Sequence, residues 1–281
     1  MPSARRGVLL VACAALCWSS GGLITRLVTT DPWTTSFWRS LFASLVLTVV
    51  LSIRLGPGAL AGLRGPVVAA AACMALSSTC FILALSRTSV ANTLILMATG
   101  PYVAGLLGWL LLGERVPVRT WSAMGVAMAG AVVMVSSSYA RGAIAGDLLA
   151  MVMAGSFAVA TVLVRRHPHV PMAPAAALAT VLTCLVALPF ANPPSTAAPD
   201  LLLLAIFGMG QFAGGFLLFM AGARLLPAAQ TSLTGMLETV LGPLWVWLVL
   251  GEQPGGAALI GGALILGALL VNGLLDIVRR G

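Results

Sequence analysis

The sequence predicts an all-α integral membrane protein with ten transmembrane helices, built as two inverted five-helix repeats. Three observations support this fold class. Of 281 residues, 60% are hydrophobic and 8% are charged, and the mean hydropathy is +1.06, whereas about a quarter of the residues of a soluble domain are charged. Ten apolar segments have the length of about 20 residues that a spanning helix needs. A block of sequence also recurs half a chain later.

The ten predicted spans are separated by short connections, most of which carry Pro or Gly as helix breakers. The connection near 86–90 has neither residue. A connection is nevertheless predicted there, because a single helix from 66 to 112 would be about twice as long as a bilayer is thick. The predicted spans are 7–27, 35–53, 66–86, 90–112, 119–138, 143–164, 171–190, 200–222, 228–250 and 256–276.

The arginines predict the orientation of the bundle, because cytoplasmic connections of membrane proteins are enriched in basic residues. With the N-terminus in the cytoplasm, eleven arginines fall on the cytoplasmic side and three on the opposite side. We therefore expect a multi-pass protein of the bacterial cytoplasmic (inner) membrane with both termini in the cytoplasm. The cytoplasmic group is Arg5, Arg6, Arg54, Arg64, Arg115, Arg119, Arg165, Arg166, Arg224, Arg279 and Arg280, and the opposite group is Arg26, Arg87 and Arg141.

An internal repeat divides the chain in half. Residues 106–114 read LLGWLLLGE and residues 244–252 read LWVWLVLGE, with six of nine positions identical at an offset of 138 residues. This offset predicts a first repeat at 1–139 and a second at 140–281. Because each repeat holds five spans, an odd number, the second is inverted relative to the first. Inverted repeats are typical of secondary transporters, whose substrate sites lie near the midplane where the repeats meet.

Composition excludes several chemistries. The sequence contains no lysine, so it lacks the lysine of a phosphate-binding loop and any Schiff-base lysine. The five cysteines lie in apolar segments, and the pair His167 and His169 has no third ligand nearby. We expect no cofactor, no metal and no nucleic-acid partner. The central parts of the spans contain neither His nor Asp, which argues against an intramembrane enzyme.

Four motifs resemble the drug/metabolite transporter superfamily in its ten-helix EamA form. They are CWSSGGLITR at 17–26, FWRSLFASL at 37–45, ANTLILMATGPYVAGLLGWLLLGERV at 91–116 and AAQTSLTGMLETVLGPLWVWLVLGEQP at 228–254. The stretch ETVLGPLWVWL also resembles the amino-acid exporters of the YddG type. The resemblance covers essentially the whole chain. It implies export of small organic metabolites, often amino acids, from the bacterial cytoplasm.

Polar and aromatic residues recur near the middle of several spans, where a transporter holds its substrate. Polar side chains at this depth usually face the protein interior or a wet cavity, although Ser and Thr also bond to their own helix. A cavity with aromatic walls, a few hydroxyls and an amide suits a neutral, partly apolar solute. The candidate substrate-binding residues are Trp18, Ser19, Arg39, Ser78, Thr79, Tyr102, Phe157, Gln211, Phe212 and Glu238.

Two charged candidates carry the sharpest hypotheses. Glu238 lies near the centre of the ninth span, where a carboxylate costs about 3 kcal/mol by insertion scales. It is interpreted as a proton-coupling group or a partner for a substrate ammonium, and the alternatives are a structural ion pair or a neutral hydrogen-bonded acid. Arg39 lies one turn into the second span. Outward snorkelling or a structural pair is favoured there over an anchor for a substrate carboxylate.

The repeated acids Glu114 and Glu252 each stand where one helix ends and the next begins a few residues later. We expect each to cap the helix that follows it, since a helix N-terminus favours a carboxylate.

The resulting functional hypothesis is a secondary exporter that moves a small organic solute by alternating access. An amino acid, including apolar or aromatic ones, is the expected substrate, protons are a candidate coupling ion, and a monomer is compatible with the sequence. A passive channel or facilitator, or a lipid-handling membrane protein, is the alternative.

Overall fold

The computed structural model describes residues 2–56, 64–87, 93, 96–135, 144–251 and 255–280. In these ranges it is helical and contains no strand. Seven helical segments are long and apolar enough to cross a membrane, and three shorter apolar helices bring the segments to ten. The all-α, ten-span fold class is therefore confirmed. The helices are α1 (Pro2–Ser19), α2 (Gly21–Leu27), α3 (Pro32–Leu55), α4 (Gly65–Arg87), α5 (Gly100–Leu112), α6 (Val118–Val135), α7 (Ile144–Arg166), α8 (Ala173–Ala187), α9 (Ala198–Ile206), α10 (Gly215–Ala223), α11 (Ala228–Gly235), α12 (Leu237–Leu250) and α13 (Gly256–Arg280).

Four of the predicted spans, the first, fourth, eighth and ninth, are discontinuous within the described residues, which corrects the prediction of single helices. The first span breaks at Ser20, where the hydroxyls of Ser19 and Ser20 bond back to the carbonyls of Leu16 and Cys17. Such side-chain bonds compete with helical ones. The ninth span breaks at Met236, between α11 and α12. In the eighth span, a π-helical segment, 207–214, separates α9 from α10.

The fourth span has a turn at 98–99 before α5 begins, and Pro101 near the start of α5 has no backbone N–H to bond the preceding turn. This turn lies 138 residues before the break at Met236. The repeat offset read from the sequence therefore relates the two breaks as well. Residues 88–92, where the third and fourth predicted spans were separated, lie outside the described residues.

The packing of the helices follows the repeat. The first span packs on the eighth and the third on the sixth. The second, fourth and fifth spans pack on the seventh, ninth and tenth, respectively. If every span is replaced by the corresponding span of the other repeat, the first–eighth pair becomes the sixth–third pair, and each of the other three pairs stays the same. The first span begins beside Leu226, since Gly7 contacts that residue, and the sixth span ends on the same face, where Arg165 bonds the Arg224 carbonyl. Corresponding spans thus run in opposite directions, as inversion requires.

The two ends of the bundle have different polar contacts. We call the end that holds 113–119, 165–168 and 224–228 the arginine-rich face. At the opposite face the Asp200 carboxylate accepts hydrogen bonds from Thr29, and Trp38 Nε1 donates to Thr196 Oγ1 at 2.9 Å. These bonds connect the end of the first span to the start of the eighth span, and the second span to the segment that precedes the eighth.

Asp31 caps the N-terminus of α3 on that opposite face, accepting from the N–H groups of Trp33 and Thr34. Partial burial raises the pKa of this carboxyl. The hydrogen bonds from the Thr34 side chain and from the two backbone N–H groups outweigh that effect and hold the pKa below its ordinary value.

The core is divided into two packed groups of helices. The larger apolar cluster joins spans 1, 2, 3, 6, 7 and 8, and a second joins spans 4, 5, 9 and 10. In the second group, a Cβ on Gly130 would lie 2.7 Å from the Gly261 carbonyl oxygen, so only glycine permits this approach of the fifth and tenth spans. The discontinuous spans lie where the two groups meet.

Candidate central cavity

A cavity of about 150 Å³ lies between the two groups of helices. An apolar cavity of this volume holds a molecule the size of benzene. Seven of the ten residues that the sequence predicts for substrate binding line it together. They are Trp18, Arg39, Ser78, Phe157, Gln211, Phe212 and Glu238.

Three aromatic rings of the sixth and eighth spans surround the Trp18 indole. Its ring centroid lies 5.6 Å from that of Phe157, 5.9 Å from that of Phe216 and 5.3 Å from that of Phe219. A Cβ at position 215 would lie 2.1 Å from the Trp18 Nε1 atom, so Gly215 makes room for the indole. Aromatic rings in edge contact stabilise one another beyond their buried area. The cavity therefore has a fixed aromatic wall.

The π-helical segment positions Gln211 and Phe212 at the cavity. π-Helical turns are rare and often occur at functional sites. Gln211 Nε2 donates to the Trp18 carbonyl at 3.1 Å, which lies in the last turn of α1, where carbonyls lack helical partners. Gln211 Oε1 is buried and accepts no hydrogen bond within the described part of the chain. The amide thus joins spans 1 and 8 and keeps one free acceptor.

Arg39 is buried, with 2% of its surface exposed. The prediction that it snorkels outward is wrong. Its guanidinium Cζ lies 4.1 Å from the ring centroid of Phe212 and 5.1 Å from that of Phe207, and its Nη2 donates to Ser78 Oγ at 2.6 Å. Among the described residues no carboxylate pairs with it, and its Nε has no hydrogen-bond partner. The aromatic faces attract the cation but leave its donors available.

Glu238 lies in the first turn of α12, as the second residue of the helix after the break at Met236. This corrects the prediction that it stands in the middle of one continuous helix. It lines the same cavity as Arg39, and no ion pair joins the two side chains. A helix N-terminus favours a carboxylate in its first turn. The break therefore places the Glu238 carboxylate at a helix N-terminus, which stabilises its charge, and beside the cavity.

Half-helix N-termini from both repeats border the cavity. Gly100 and Pro101 at the start of α5 contribute to its lining, as do Met236 and Glu238 at the start of α12. Broken spans whose N-termini point into a central site bind anionic groups of substrates in other transporters. With Arg39, these helix ends give the cavity a positive side.

Three predicted site residues do not line the cavity. Ser19 accepts from Trp245 Nε1 at 2.8 Å and donates to the Leu16 carbonyl, so it supports the break in the first span. Thr79 is half-buried outside the lining. Tyr102 packs against Trp121, with ring centroids 5.9 Å apart, in the second helix group.

Sequence reasoning missed the apolar lining. Met74, Phe81, Met153, Phe216 and Phe219 contact the cavity but have no signal that separates them from the other apolar residues of their spans.

Glu114 caps a different helix from the one predicted. Its Oε2 accepts from the backbone N–H of Ala228, the first residue of α11, at 3.1 Å, and its Oε1 accepts from Arg165 Nε at 2.8 Å. The sharp turn at Gly113, with φ of 65°, directs Glu114 back toward the bundle rather than toward α6. Its repeat counterpart, Glu252, lies outside the described residues.

Comparisons with known proteins agree with this architecture. The pattern of the EamA-like transporter family matches residues 5–136 and again 144–274. The chain is 30% identical over 197 residues, 67% of each chain, to the pseudopaline exporter CntI of Pseudomonas aeruginosa. It is 37% identical over 91 residues to the uncharacterized transporter YwfM of Bacillus subtilis, covering 32% of this chain and 31% of that protein. A protein of known crystal structure at 22% identity shares the fold, with a TM-score of 0.85 over 97% of this chain and 98% of that one.

Proposed function

Because this chain belongs to the EamA-like transporter family, we propose that it is a secondary exporter of amino acids, including apolar and aromatic ones. The observation that carries the proposal is the coexistence of Arg39 and Glu238, unpaired, in one aromatic cavity. A zwitterion presents a carboxylate and an ammonium group. An unpaired cation and an unpaired acid in the same site offer one partner to each.

Each lining group has a proposed role in holding the solute. The Arg39 guanidinium, whose Nε lacks a partner, donates to the substrate carboxylate, since charge-assisted bonds are the strongest ones available. Glu238 and the free Gln211 Oε1 accept from the ammonium group. The rings around Trp18 contact an apolar side chain. The names of the relatives support export but do not identify the solute.

The two helix groups that meet at the cavity support a mechanism of alternating access. We propose that spans 4, 5, 9 and 10 rock against the remaining six, exposing the cavity first to one face and then to the other, as inverted-repeat transporters do. The repeats 1–139 and 140–281 are the proposed structural units. Glu238 is the proposed proton-coupling group.

Transport by purified protein in liposomes tests this function. Labelled amino acids should be taken up with saturation, faster with a pH gradient than without one, whereas labelled nucleosides should not. Uptake that rises linearly with concentration and ignores the gradient would instead indicate a passive facilitator, the alternative reading of the sequence.

We also propose that the arginine-rich face is cytoplasmic in the bacterial inner membrane, since this face carries most of the arginines. Reporter tags at residue 1, near His167 and at residue 281 should then report the cytoplasm, and a tag near Ser195 should report the opposite side. A cytoplasmic signal at Ser195 would contradict this orientation.

A further inference from the structure

A second cavity, of about 250 Å³, opens at the arginine-rich face. Among the described residues, Arg115, Arg119 and Arg165 contribute to its lining, with the carboxylate of Glu114. This described lining has more positive than negative groups, which favours an anionic ligand. We call this cavity the arginine pocket.

Glu114 and Arg165 form a latch between this pocket and the interior. Glu114 bonds both the Arg165 side chain and the Ala228 N–H, and Arg165 Nη1 donates to the Arg224 carbonyl at 3.0 Å. The latch thereby joins the ends of the fourth, sixth and eighth spans to the start of the ninth. Arg165 uses two of the five N–H donors of a guanidinium, so it has donors left for a ligand.

Gln230 adds a polar group to the arginine pocket. The residue is only 8% exposed, and its backbone carbonyl accepts from Thr234. No hydrogen bond joins its side-chain amide to another described residue, so the donor and the acceptor of this amide are available to a polar ligand in the pocket.

A small apolar cluster separates the arginine pocket from the central cavity. Ala104, Ala158, Val162 and Ala228 pack together between spans 4, 6 and 9. Ala158 also lines the central cavity, and Ala229, next to Ala228, lines the arginine pocket. Movement of α11, which contributes Ala228, would open this cluster, and the latch holds the first residue of α11.

We propose that the arginine pocket is a loading site for the carboxylate group of the exported solute, and that this carboxylate replaces Glu114 on Arg165. Replacement frees the Ala228 N–H from its acceptor, so α11 separates from α5 and α7 and opens the apolar cluster. The proposal rests on the proposed export function and adds the step by which the solute reaches the central cavity.

Hydrogen exchange at the start of α11 tests the latch directly, since exchange reports local opening. Acetate and leucine should speed exchange in the peptide that contains Ala228 by at least about tenfold. Chloride at matched ionic strength should not, nor should leucinol, in which a hydroxymethyl group replaces the carboxylate of leucine. Arg165→Gln should abolish the response, and Arg166→Gln, an equal charge change at the exposed neighbouring residue, should retain it. Glu114→Gln should exchange rapidly without any anion.

The other outcomes overturn the loading site. An equal response to inorganic phosphate would indicate a general anion site. A response to phosphatidylglycerol in the surrounding bilayer, but not to acetate, would indicate a lipid headgroup site. No response of the wild type to acetate and leucine, or equal loss in Arg166→Gln, would leave no specific site. This readout needs no transport, so failure of uptake in liposomes with an intact exchange response would refute the export proposal alone.

Discussion

Within the described residues, arginine and glutamate meet at two places in the bundle, and the two places are built in opposite ways. At the arginine-rich face, Arg165 and Glu114 are bonded at 2.8 Å, and the second carboxylate oxygen caps α11. In the central cavity, Arg39 and Glu238 line the same space without an ion pair. In the first arrangement the charged groups are paired with each other within the protein. In the second, the two charged groups have no charged partner among the described residues.

We interpret this difference as that between a structural contact and the proposed binding site. A buried charge without a partner is costly and is usually retained for function. Arg39 has only one hydrogen bond, from Nη2 to Ser78, and the faces of two aromatic rings. Since nothing in the described structure neutralises it, a ligand is the simplest source of the missing charge.

Replacement of Arg39 and of Arg165 by methionine should show the difference between the two sites with the largest effect. Arg39→Met should lower transport by about tenfold to a hundredfold, because a charge-assisted bond to the substrate is lost. It should also raise the free energy of unfolding by about 1–2 kcal/mol, because an unpaired buried charge is replaced by an apolar side chain. Arg165→Met should instead lower that free energy by about 1 kcal/mol, because it leaves Glu114 unpaired. Denaturation of both variants in detergent, beside uptake in liposomes, measures the two effects.

The decisive result is that Arg39→Met raises the free energy of unfolding while Arg165→Met lowers it. If Arg39→Met unfolds more easily than the wild type and the surviving protein transports normally, Arg39 is a structural residue and the cavity assignment is wrong.

Two glycines in the π-helical segment test, with a smaller expected effect, how the Arg39 site is held in place. A Cβ at position 208 would lie 2.3 Å from the Arg39 carbonyl oxygen, whereas a Cβ at position 210 meets nothing within 4 Å. Gly208→Ala should therefore force the second and eighth spans apart, displace Arg39 from Phe212 and destabilise the protein by about 1–3 kcal/mol. Gly210→Ala is the matched control and should change stability by less than about 1 kcal/mol. Equal effects of the two substitutions would show that this close contact does not position Arg39.

The sequence was sufficient to predict the ten spans, the repeat and most of the polar cavity lining. Hydrophobic length and the 138-residue offset determine the spans and the repeat, and the cost of polar groups in lipid points to Arg39, Gln211 and Glu238. Ser19 and Tyr102 were misplaced because depth along a helix says nothing about which side of it faces the cavity. The residues Phe216 and Phe219 carried no polar signal.

Breaks and long-range partners could not be predicted. The turn at Ser20 depends on local side-chain bonds, and the π-helical segment depends on contacts with other spans. Glu114 was correctly interpreted as a helix cap, but its helix begins 114 residues later. Only the packing of spans 4 and 9 brings the two together.

The most direct test of the account is Glu238→Gln in liposomes, measured for accumulation driven by a pH gradient and for counterflow exchange. Glutamine keeps the shape and hydrogen-bonding capacity of glutamate but does not titrate. The account predicts that driven accumulation is lost while exchange, which needs no net proton movement, continues. Equal loss of both activities would mean that Glu238 serves only to hold the substrate or a neighbouring helix and does not carry the coupling proton. Unchanged driven accumulation would contradict the account and remove Glu238 from coupling.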